Sequence, residues 1–122
     1  MSRFFFMKGK NMTSLPMDSN NNPVPALRLK KDGAHSVAVS AASAKNAAAF
    51  DADTKVISVY ASVPVYLKMG DVGVSATTSD HYFPAGVYYD FAIEGAASVH
   101  YSHIAALRAD GVDGTVYISE KE

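Results

Sequence analysis

Histidine is the residue type in this sequence that most readily binds a metal ion or transfers a proton near neutral pH. His100 and His103 stand three positions apart, a spacing that brings two ligands together on a helix but places them on opposite faces of a strand. The residues around them have the pattern of a strand, so we expect one histidine on a polar face and one partly buried and hydrogen-bonded. This pair therefore predicts no metal site.

The run Ser79, Asp80 and His81 contains the three residue types of a hydrolytic triad. A hydrolase of that kind also needs a Gly-flanked serine between a strand and a helix, together with an oxyanion loop. The sequence has neither signature. We therefore expect no enzymatic activity, and we interpret these polar side chains as part of a solvated loop.

Two pairs of aspartates, Asp51 with Asp53 and Asp110 with Asp113, supply the oxygen atoms that calcium prefers. A calcium-binding loop also alternates acidic and amide residues and ends in a glutamate, and that pattern is missing here. Aspartate is a common turn former as well, because its carboxylate accepts hydrogen bonds from nearby backbone N–H groups. We interpret both pairs as turn residues and expect no metal or other cofactor.

The tyrosines of this chain are a set of aromatic rings that could stack on sugars or on a protein partner. In a β-domain without tryptophan, tyrosine also commonly fills the half-buried rim of the core, with its phenol reaching water. Both interpretations stay open from the sequence. The tyrosines are Tyr60, Tyr66, Tyr82, Tyr88, Tyr89, Tyr101 and Tyr117.

The composition limits the classes of protein to which the chain can belong. Its 122 residues fit one domain with one core. The lack of cysteine excludes disulfides, zinc–thiolate sites and thiol nucleophiles, and a net charge of -1 without long charged runs argues against nucleic-acid binding. Charged residues make up 19% of the chain, a low share that is typical of a subunit covered in an assembly.

The sequence predicts an N-terminal arm, residues 1–22, followed by a β-sandwich domain, residues 23–122. Several prolines in the arm remove backbone donors and disfavour helix. The apolar run that contains Phe4, Phe5 and Phe6 ends after four residues, too short for a signal peptide or a membrane span, so we expect no membrane association. The arm is either a frayed chain end or an extended segment whose phenylalanines insert into a neighbouring subunit.

The start of the domain is predicted to be a β-hairpin. Leu27 to Lys30 alternates in polarity, Lys31-Asp32-Gly33 is typical of a tight turn, and His35 to Ser40 has one apolar face. Residues 44–50 are predicted as a further strand with small side chains. Six alanines between positions 41 and 50 leave a short surface helix as the alternative.

The densest β-branched and aromatic stretch, residues 56–70, predicts two central strands separated by a bend or bulge at Pro64. Alternate residues of these strands share a face because successive side chains of a strand point to opposite sides. The residues expected to share one face of each strand are Ile57, Val59 and Ala61 in the first, and Val65, Leu67 and Met69 in the second.

Later strands are predicted over residues 87–93, 98–107 and 115–119, with Val87, Tyr89, Phe91 and Ile93 forming one core face. Turns are expected at residues 84–86, where proline precedes glycine, and at residues 110–114. The pattern therefore predicts about eight short strands, and no segment gives a strong signal for a helix. This pattern predicts an all-β fold: a single small antiparallel β-sandwich, jelly-roll-like or immunoglobulin-like.

The order of segments in the C-terminal half has a recognisable form. A Val-rich strand, an edge segment ending in Gly, and a Thr/Ala/Ser stretch are followed by aromatic-Pro-Ala-Gly-Val, an aromatic strand and a closing Gly-Thr-Val-Tyr-Ile strand. The segments are Val56–Ala61, Val63–Gly70, Ser75–Asp80, Tyr82–Val87, Tyr88–Ile93 and Gly114–Ile118. In this order the chain resembles small virion proteins of tailed bacteriophages, of the head-decoration or cement type.

The resemblance implies a non-enzymatic structural protein that binds the capsid surface and stabilises the head. It also implies contact with the major capsid protein or other virion proteins, assembly as a homo-oligomer, and a place on the virion after synthesis in the host bacterial cytoplasm. A neck, tail or fibre-base component is an alternative. A carbohydrate-binding module that uses surface tyrosines such as Tyr88 and Tyr101 is an alternative from another class.

Under the virion hypothesis, the arm phenylalanines would act as apolar anchors, and the predicted loops 70–79 and 110–114 would form contact tips. The predicted contact residues are Phe4, Phe5, Phe6, Asp71, Val72, Asp110 and Val112.

Overall fold

The protein is an all-β sandwich in a computed structural model that describes residues 17, 19–22 and 26–122. Two four-stranded antiparallel sheets pack together, which confirms the predicted fold class. The described residues form no helix, and so none that could cross a membrane. The strands are β1 (Leu29–Val39), β2 (Ala44–Lys45), β3 (Val56–Ala61), β4 (Val65–Gly70), β5 (His81–Phe83), β6 (Tyr88–Ala92), β7 (His103–Arg108) and β8 (Gly114–Lys121).

The strands pair as one long hairpin that is folded over on itself. β1 pairs with β8, β2 with β7, β3 with β6 and β4 with β5, all antiparallel. Pairing of β3 with β8 and of β4 with β7 completes the sheets β1-β8-β3-β6 and β2-β7-β4-β5. This strand order is that of an eight-stranded jelly roll, so it selects the jelly-roll alternative over the immunoglobulin-like one.

The core lies between the two sheets and is built from small and β-branched side chains. The alternation predicted for the central strands is confirmed, because the predicted inward residues of β3 and β4 all pack in or against this cluster. Period-two patterning alone determines which face of such a strand is buried. The buried cluster consists of Val37, Val39, Phe50, Ile57, Val59, Ala61, Val65, Leu67, Ile93, Ile104, Ala106, Val116 and Ile118.

The hairpin predicted at the start of the domain is wrong, because Leu29–Val39 is one strand. Its partner is β8, from the far end of the sequence, and the register shifts between Leu29 and Ala34. Within that irregularity Asp32 adopts a left-handed φ of 61°. The turn-forming residues Lys31-Asp32-Gly33 thus make a bulge in a long strand, since the ladder to β8 holds the chain on both sides of them.

Three smaller predictions also change. Of the strand predicted over residues 44–50, the structure has Ala44–Lys45, and no helix replaces the rest. The strand predicted over residues 98–107 begins at His103. Val87, predicted to face the core, is exposed because it belongs to the turn between β5 and β6.

The jelly roll places its loops at two ends that differ in loop length. At the short-loop end, the connections β1–β2, β3–β4, β5–β6 and β7–β8 have three to five residues. At the long-loop end, the connections β2–β3, β4–β5 and β6–β7 have ten residues each. Backbone hydrogen bonds join neighbouring loops at both ends: Ala109 N–H donates to Pro64 O at the first, and Phe50 N–H donates to Ser102 O at the second.

Candidate functional site

The two histidines considered as metal ligands are each hydrogen-bonded within the fold. His103 is the first residue of β7, is buried, and forms a hydrogen bond through Nδ1 with the Ser102 hydroxyl at 2.8 Å. His100 lies before the strand, and its Nε2 donates to the Thr54 carbonyl at 2.9 Å. The prediction that both histidines share one strand is therefore wrong. Among the described residues there is no group of three His, Asp or Glu side chains placed to hold a metal.

Asp80 stabilises the β4–β5 loop instead of orienting a histidine. Its Oδ2 accepts hydrogen bonds from the Thr77 N–H at 2.7 Å and from the Thr77 hydroxyl at 3.2 Å. The Ser79 N–H donates to the same hydroxyl oxygen, which is the turn chemistry expected of these residue types. His81 is exposed and begins β5, where it pairs with Leu67 of β4.

A buried carboxylate organises the long-loop end, and sequence reasoning missed it. The side chain of Glu120 is 4% exposed, and its Oε2 accepts a hydrogen bond from His35 Nε2 at 2.7 Å. Its Oε1 accepts from the Asp51 N–H at 3.0 Å and from the Thr54 hydroxyl. Glu120 therefore ties β8 and β1 to the β2–β3 loop. The available signal was the alternation of β8, which places Glu120 on the same face as the buried Ile118.

A buried amide holds the same loop to β7, and the sequence pattern gave no sign of it either. Asn46 is 1% exposed, and its Oδ1 accepts from the Ile104 N–H at 2.8 Å. Its Nδ2 donates to the Ala48 carbonyl at 2.7 Å and to the Ser102 carbonyl at 3.4 Å. One side chain thus satisfies three backbone groups where the β2–β3 loop has left the ladder.

Lys30 binds the β2–β3 loop from the solvent side. Its Nζ lies 2.9 Å from Asp51 Oδ2 and 2.8 Å from Asp53 Oδ1. The hydrogen bond with Asp53 raises the pKa of Lys30 above its ordinary value. The same bond lowers the pKa of Asp53, because it favours the charged form of the carboxyl group. A lysine therefore neutralises the first of the two aspartate pairs considered for calcium.

Three tyrosines form a row across the outer face of the sheet β1-β8-β3-β6. Tyr60 on β3 is in register with Tyr88 on β6 and with Tyr117 on β8. The ring centroid of Tyr60 lies 4.8 Å from that of Tyr88 and 6.4 Å from that of Tyr117. Tyr88 is 70% exposed and Tyr117 is 51% exposed. This tyrosine row lies beside the short-loop end, since β3 ends and β6 begins there.

The predicted loop contacts lie at opposite ends of the sandwich. Asp110 and Val112 belong to the β7–β8 connection at the short-loop end, whereas Asp71 and Val72 belong to the β4–β5 loop at the long-loop end. All four side chains are exposed. The two loops therefore cannot form one contact patch, and the remaining predicted contacts, Phe4–Phe6, lie outside the described residues.

A cleft of about 440 Å³ lies toward the long-loop end, where the edge strands β5 and β6 face each other. The rings of Phe83 and Phe91, which both line the cleft, meet edge to face with centroids 5.4 Å apart. This volume falls within the range of small-molecule sites, which are concave and mostly apolar with a few polar groups. The cleft is lined by Leu67, Lys68, Met69, Asp80, His81, Phe83, Phe91 and Tyr101.

The two tyrosines named for glycan binding are far apart in the fold. Tyr88 belongs to the tyrosine row beside the short-loop end, and Tyr101 lines the cleft toward the long-loop end. Comparison with protein-family models, with curated proteins and with solved structures found no match for this chain.

Proposed function

We propose that this chain is a non-enzymatic structural protein of a bacteriophage virion, which binds the capsid surface through its short-loop end as a decoration or cement protein. The observation that carries the proposal is the exposed tyrosine row of Tyr60, Tyr88 and Tyr117. Exposed Val87 and Val112 belong to connections at the same end, so aromatic and aliphatic groups concentrate in one region. Apolar surface that is concentrated in one region is typical of interaction sites.

Tyrosine suits such a contact for a physical reason. Its ring has a large apolar surface with few rotatable bonds, and its phenol can donate a hydrogen bond at a polar rim. Tyrosine is accordingly enriched among the residues that contribute most to protein–protein binding. The contact region proposed here includes Val112 and Asp110 of the predicted set, and it leaves Asp71 and Val72 at the opposite end.

Stabilisation of the head follows from linkage between binding and assembly. A protein that binds neighbouring subunits of the assembled shell, and not the separated subunits, stabilises the shell by its free energy of binding. Many copies of modest affinity therefore add up. In this proposal the partner is the major capsid protein, and the virion is the site of action after synthesis in the host bacterial cytoplasm.

Copy number in purified virions tests the proposal most directly. Quantitative mass spectrometry should find this chain at a ratio to the major capsid protein close to that of a shell subunit. A few copies per particle would instead assign it to the neck, tail or fibre base. Its absence from the virion would overturn the proposal.

The contact face can be tested on heads assembled without this chain. We expect Tyr88→Ala combined with Tyr117→Ala to weaken co-sedimentation with such heads by about 10-fold or more. Tyr82→Ala is the matched control, because Tyr82 is an exposed tyrosine on the other sheet, paired with Tyr66 of β4. If the control weakens binding and the double variant does not, the contact face lies on the other sheet.

The arm and the oligomeric state belong to the same proposal. We propose that Phe4, Phe5 and Phe6 anchor the arm on a neighbouring virion subunit and that the chain acts as a homo-oligomer. Deletion of residues 1–10 should weaken attachment to heads and leave the melting temperature nearly unchanged. A large fall in melting temperature would instead place the arm in the core. Light scattering of the free protein would measure the oligomeric state.

A further inference from the structure

We infer that the cleft at the long-loop end is a binding site for a neutral pyranose sugar. The inference concerns a different surface from the proposed capsid contact and stands independently of it. Residues from β4, β5, β6 and two long loops converge on this cleft. Its floor is rigid, because Leu67 is a core residue, and Met69, Phe83 and Phe91 pack against the core.

The interior of the cleft offers aromatic and aliphatic surface. Phe83 and Phe91 are half-buried, and their edge-to-face contact fixes the orientation of both rings. Tyr101 is exposed at the cleft. The β6–β7 loop has turned back toward the end of β6 at this point, because the Tyr101 N–H donates to the Ile93 carbonyl at 2.9 Å. An exposed aromatic ring such as that of Tyr101 can pack against the C–H face of a sugar ring.

The polar groups of the cleft are only partly used by the fold. Asp80 Oδ2 accepts hydrogen bonds from Thr77, but Asp80 Oδ1 accepts no hydrogen bond within the described residues. Over the same part of the chain, the His81 ring and the Lys68 ammonium also have no hydrogen-bond or ion-pair partner. Most of the other basic side chains described are paired, as Arg28, Lys30, Lys55, Arg108 and Lys121 show.

These polar groups select the class of ligand. The cleft lining includes one basic residue, Lys68, and one acidic residue, Asp80, so their formal charges cancel and a neutral ligand is the best match to the lining as a whole. A carboxylate accepts hydrogen bonds, an ammonium donates them, and a neutral imidazole does both. Hydroxyl groups complement all three, because each hydroxyl is donor and acceptor. A pyranose is a neutral ring with an apolar C–H face and several hydroxyls, so it matches this lining.

The site is suited to weak binding that gains strength from repetition. A single sugar in one such cleft is expected to bind with a Kd on the order of 1 mM. If many copies were displayed on one particle, simultaneous engagement of a polysaccharide would strengthen the overall binding without any new contact. The cleft lies at the end of the sandwich opposite the proposed capsid contact, so both surfaces can be occupied together.

The test is an amide NMR titration of the full chain with glucose, galactose, mannose and N-acetylglucosamine, followed by the charged analogues glucosamine and glucuronate. We expect at least one neutral sugar to shift the amides of residues 79–83 and 100–102. Tyr101→Ala should weaken that binding by about 5-fold or more. Asp80→Asn should also weaken it while retaining an oxygen that accepts from Thr77. Tyr88→Ala is the matched control and should leave the Kd unchanged.

Several results would overturn the inference. One is the lack of any shift with all four neutral sugars. Another is unchanged affinity in both Tyr101→Ala and Asp80→Asn, with folding verified by dispersed amide spectra. Shifts confined to the tyrosine row would assign the sugar to the sheet face instead of the cleft. Tighter binding of glucosamine or glucuronate than of glucose would contradict the neutral ligand. None of these outcomes bears on binding to capsids, which is measured separately.

Discussion

The two ends of this jelly roll are held in place by different means. At the short-loop end, connections of three to five residues pass directly from strand to strand, so few backbone groups leave the ladder. At the long-loop end, three connections of ten residues each would leave many backbone groups without partners. Asn46, Thr54, His103 and Glu120, four of the buried polar side chains in the described chain, lie at this end.

The two ends are therefore stabilised in different ways. The long-loop end depends on buried side-chain hydrogen bonds, which are costly to disrupt because the groups left behind are desolvated. At the short-loop end the backbone packs closely. Exposed aromatic side chains lie on the sheet face beside it. We therefore expect the loss of a buried polar side chain to lower stability most at the long-loop end. At the short-loop end we expect added side-chain volume to lower stability.

The largest effect is expected for Glu120→Ala, which leaves the His35 ring, the Thr54 hydroxyl and the Asp51 N–H without their acceptor. The free energy of unfolding should fall by about 4 kcal/mol, because breaking a buried pair leaves its partner groups uncompensated. Urea denaturation measures the change. Glu122→Ala is the matched control, since Glu122 pairs with the exposed Arg28 and should cost less than about 1 kcal/mol. Equal losses of stability in the Glu120 and Glu122 variants would contradict a special role for the buried carboxylate.

Asn46→Ala should follow, with a loss of about 3 kcal/mol, because it leaves the Ile104 N–H and the Ala48 carbonyl without hydrogen bonds in a buried site. Lys45→Ala removes an exposed side chain one position earlier and should change stability by less than about 0.5 kcal/mol. Native-state hydrogen exchange should also show earlier opening of residues 46–55 in the Asn46 variant. Uniform opening of the whole chain would contradict a local role.

At the short-loop end, Gly114→Ala tests close packing. A Cβ at Gly114 would lie 2.6 Å from Val63 Cγ2 and 2.7 Å from the Ser62 hydroxyl oxygen, which accepts from the Thr115 N–H. We expect a loss of about 2 kcal/mol, measured by thermal or urea unfolding. Gly111→Ala, in the same connection, meets no atom within 4 Å and should be nearly neutral. If both glycine variants were as stable as the wild type, the backbone at this end would have room for an added methyl group.

The smallest effect is the acid dependence of the surface pairs. The hydrogen bond from Lys30 lowers the pKa of Asp53, and that from Lys121 lowers the pKa of Asp90. Each pair therefore stabilises the fold above the unfolded pKa of about 3.9, and this contribution is lost as the pH falls through the lower folded pKa. Both carboxylates are largely exposed, so each pair contributes about 0.5 kcal/mol.

The free energy of unfolding measured from pH 6 down to pH 2 tests whether this contribution is lost as the pH falls. Asp53→Asn and Asp90→Asn should each lower the free energy of unfolding at pH 6 and converge with the wild type at the acid limit. Asp110→Asn is the control, because this exposed carboxylate has no ion pair among the described residues. A difference from wild type that grows as the pH falls would contradict the assignment.

Some features of the candidate surfaces were predictable and others were not. The tyrosines were identified by residue type, and the loop positions of Val72 and Val112 were predicted from turn chemistry. Their grouping was not predictable, since Tyr60, Tyr88 and Tyr117 come together through the register of three strands. The cleft likewise joins β4, β5, β6 and two loops, and no local pattern marks such a meeting.

The sequence by itself determined the features that depend on neighbouring residues. Alternation over β3 and β4 specified their buried faces, and Pro84 with Gly86 specified a turn in which Gly86 adopts a φ of 83°. These signals are local, because side-chain direction and backbone sterics act within a few residues. They are sufficient for the all-β class of the fold.

Tertiary structure decided what depends on partners distant in sequence. The Lys31-Asp32-Gly33 run became a bulge because β8 pairs with the chain on both sides of it. Glu120 became a buried acceptor because the same pairing brings it to His35, 85 positions away. A strand ladder joins residues from opposite ends of the chain, and its register then determines which side chains are buried, paired or left exposed.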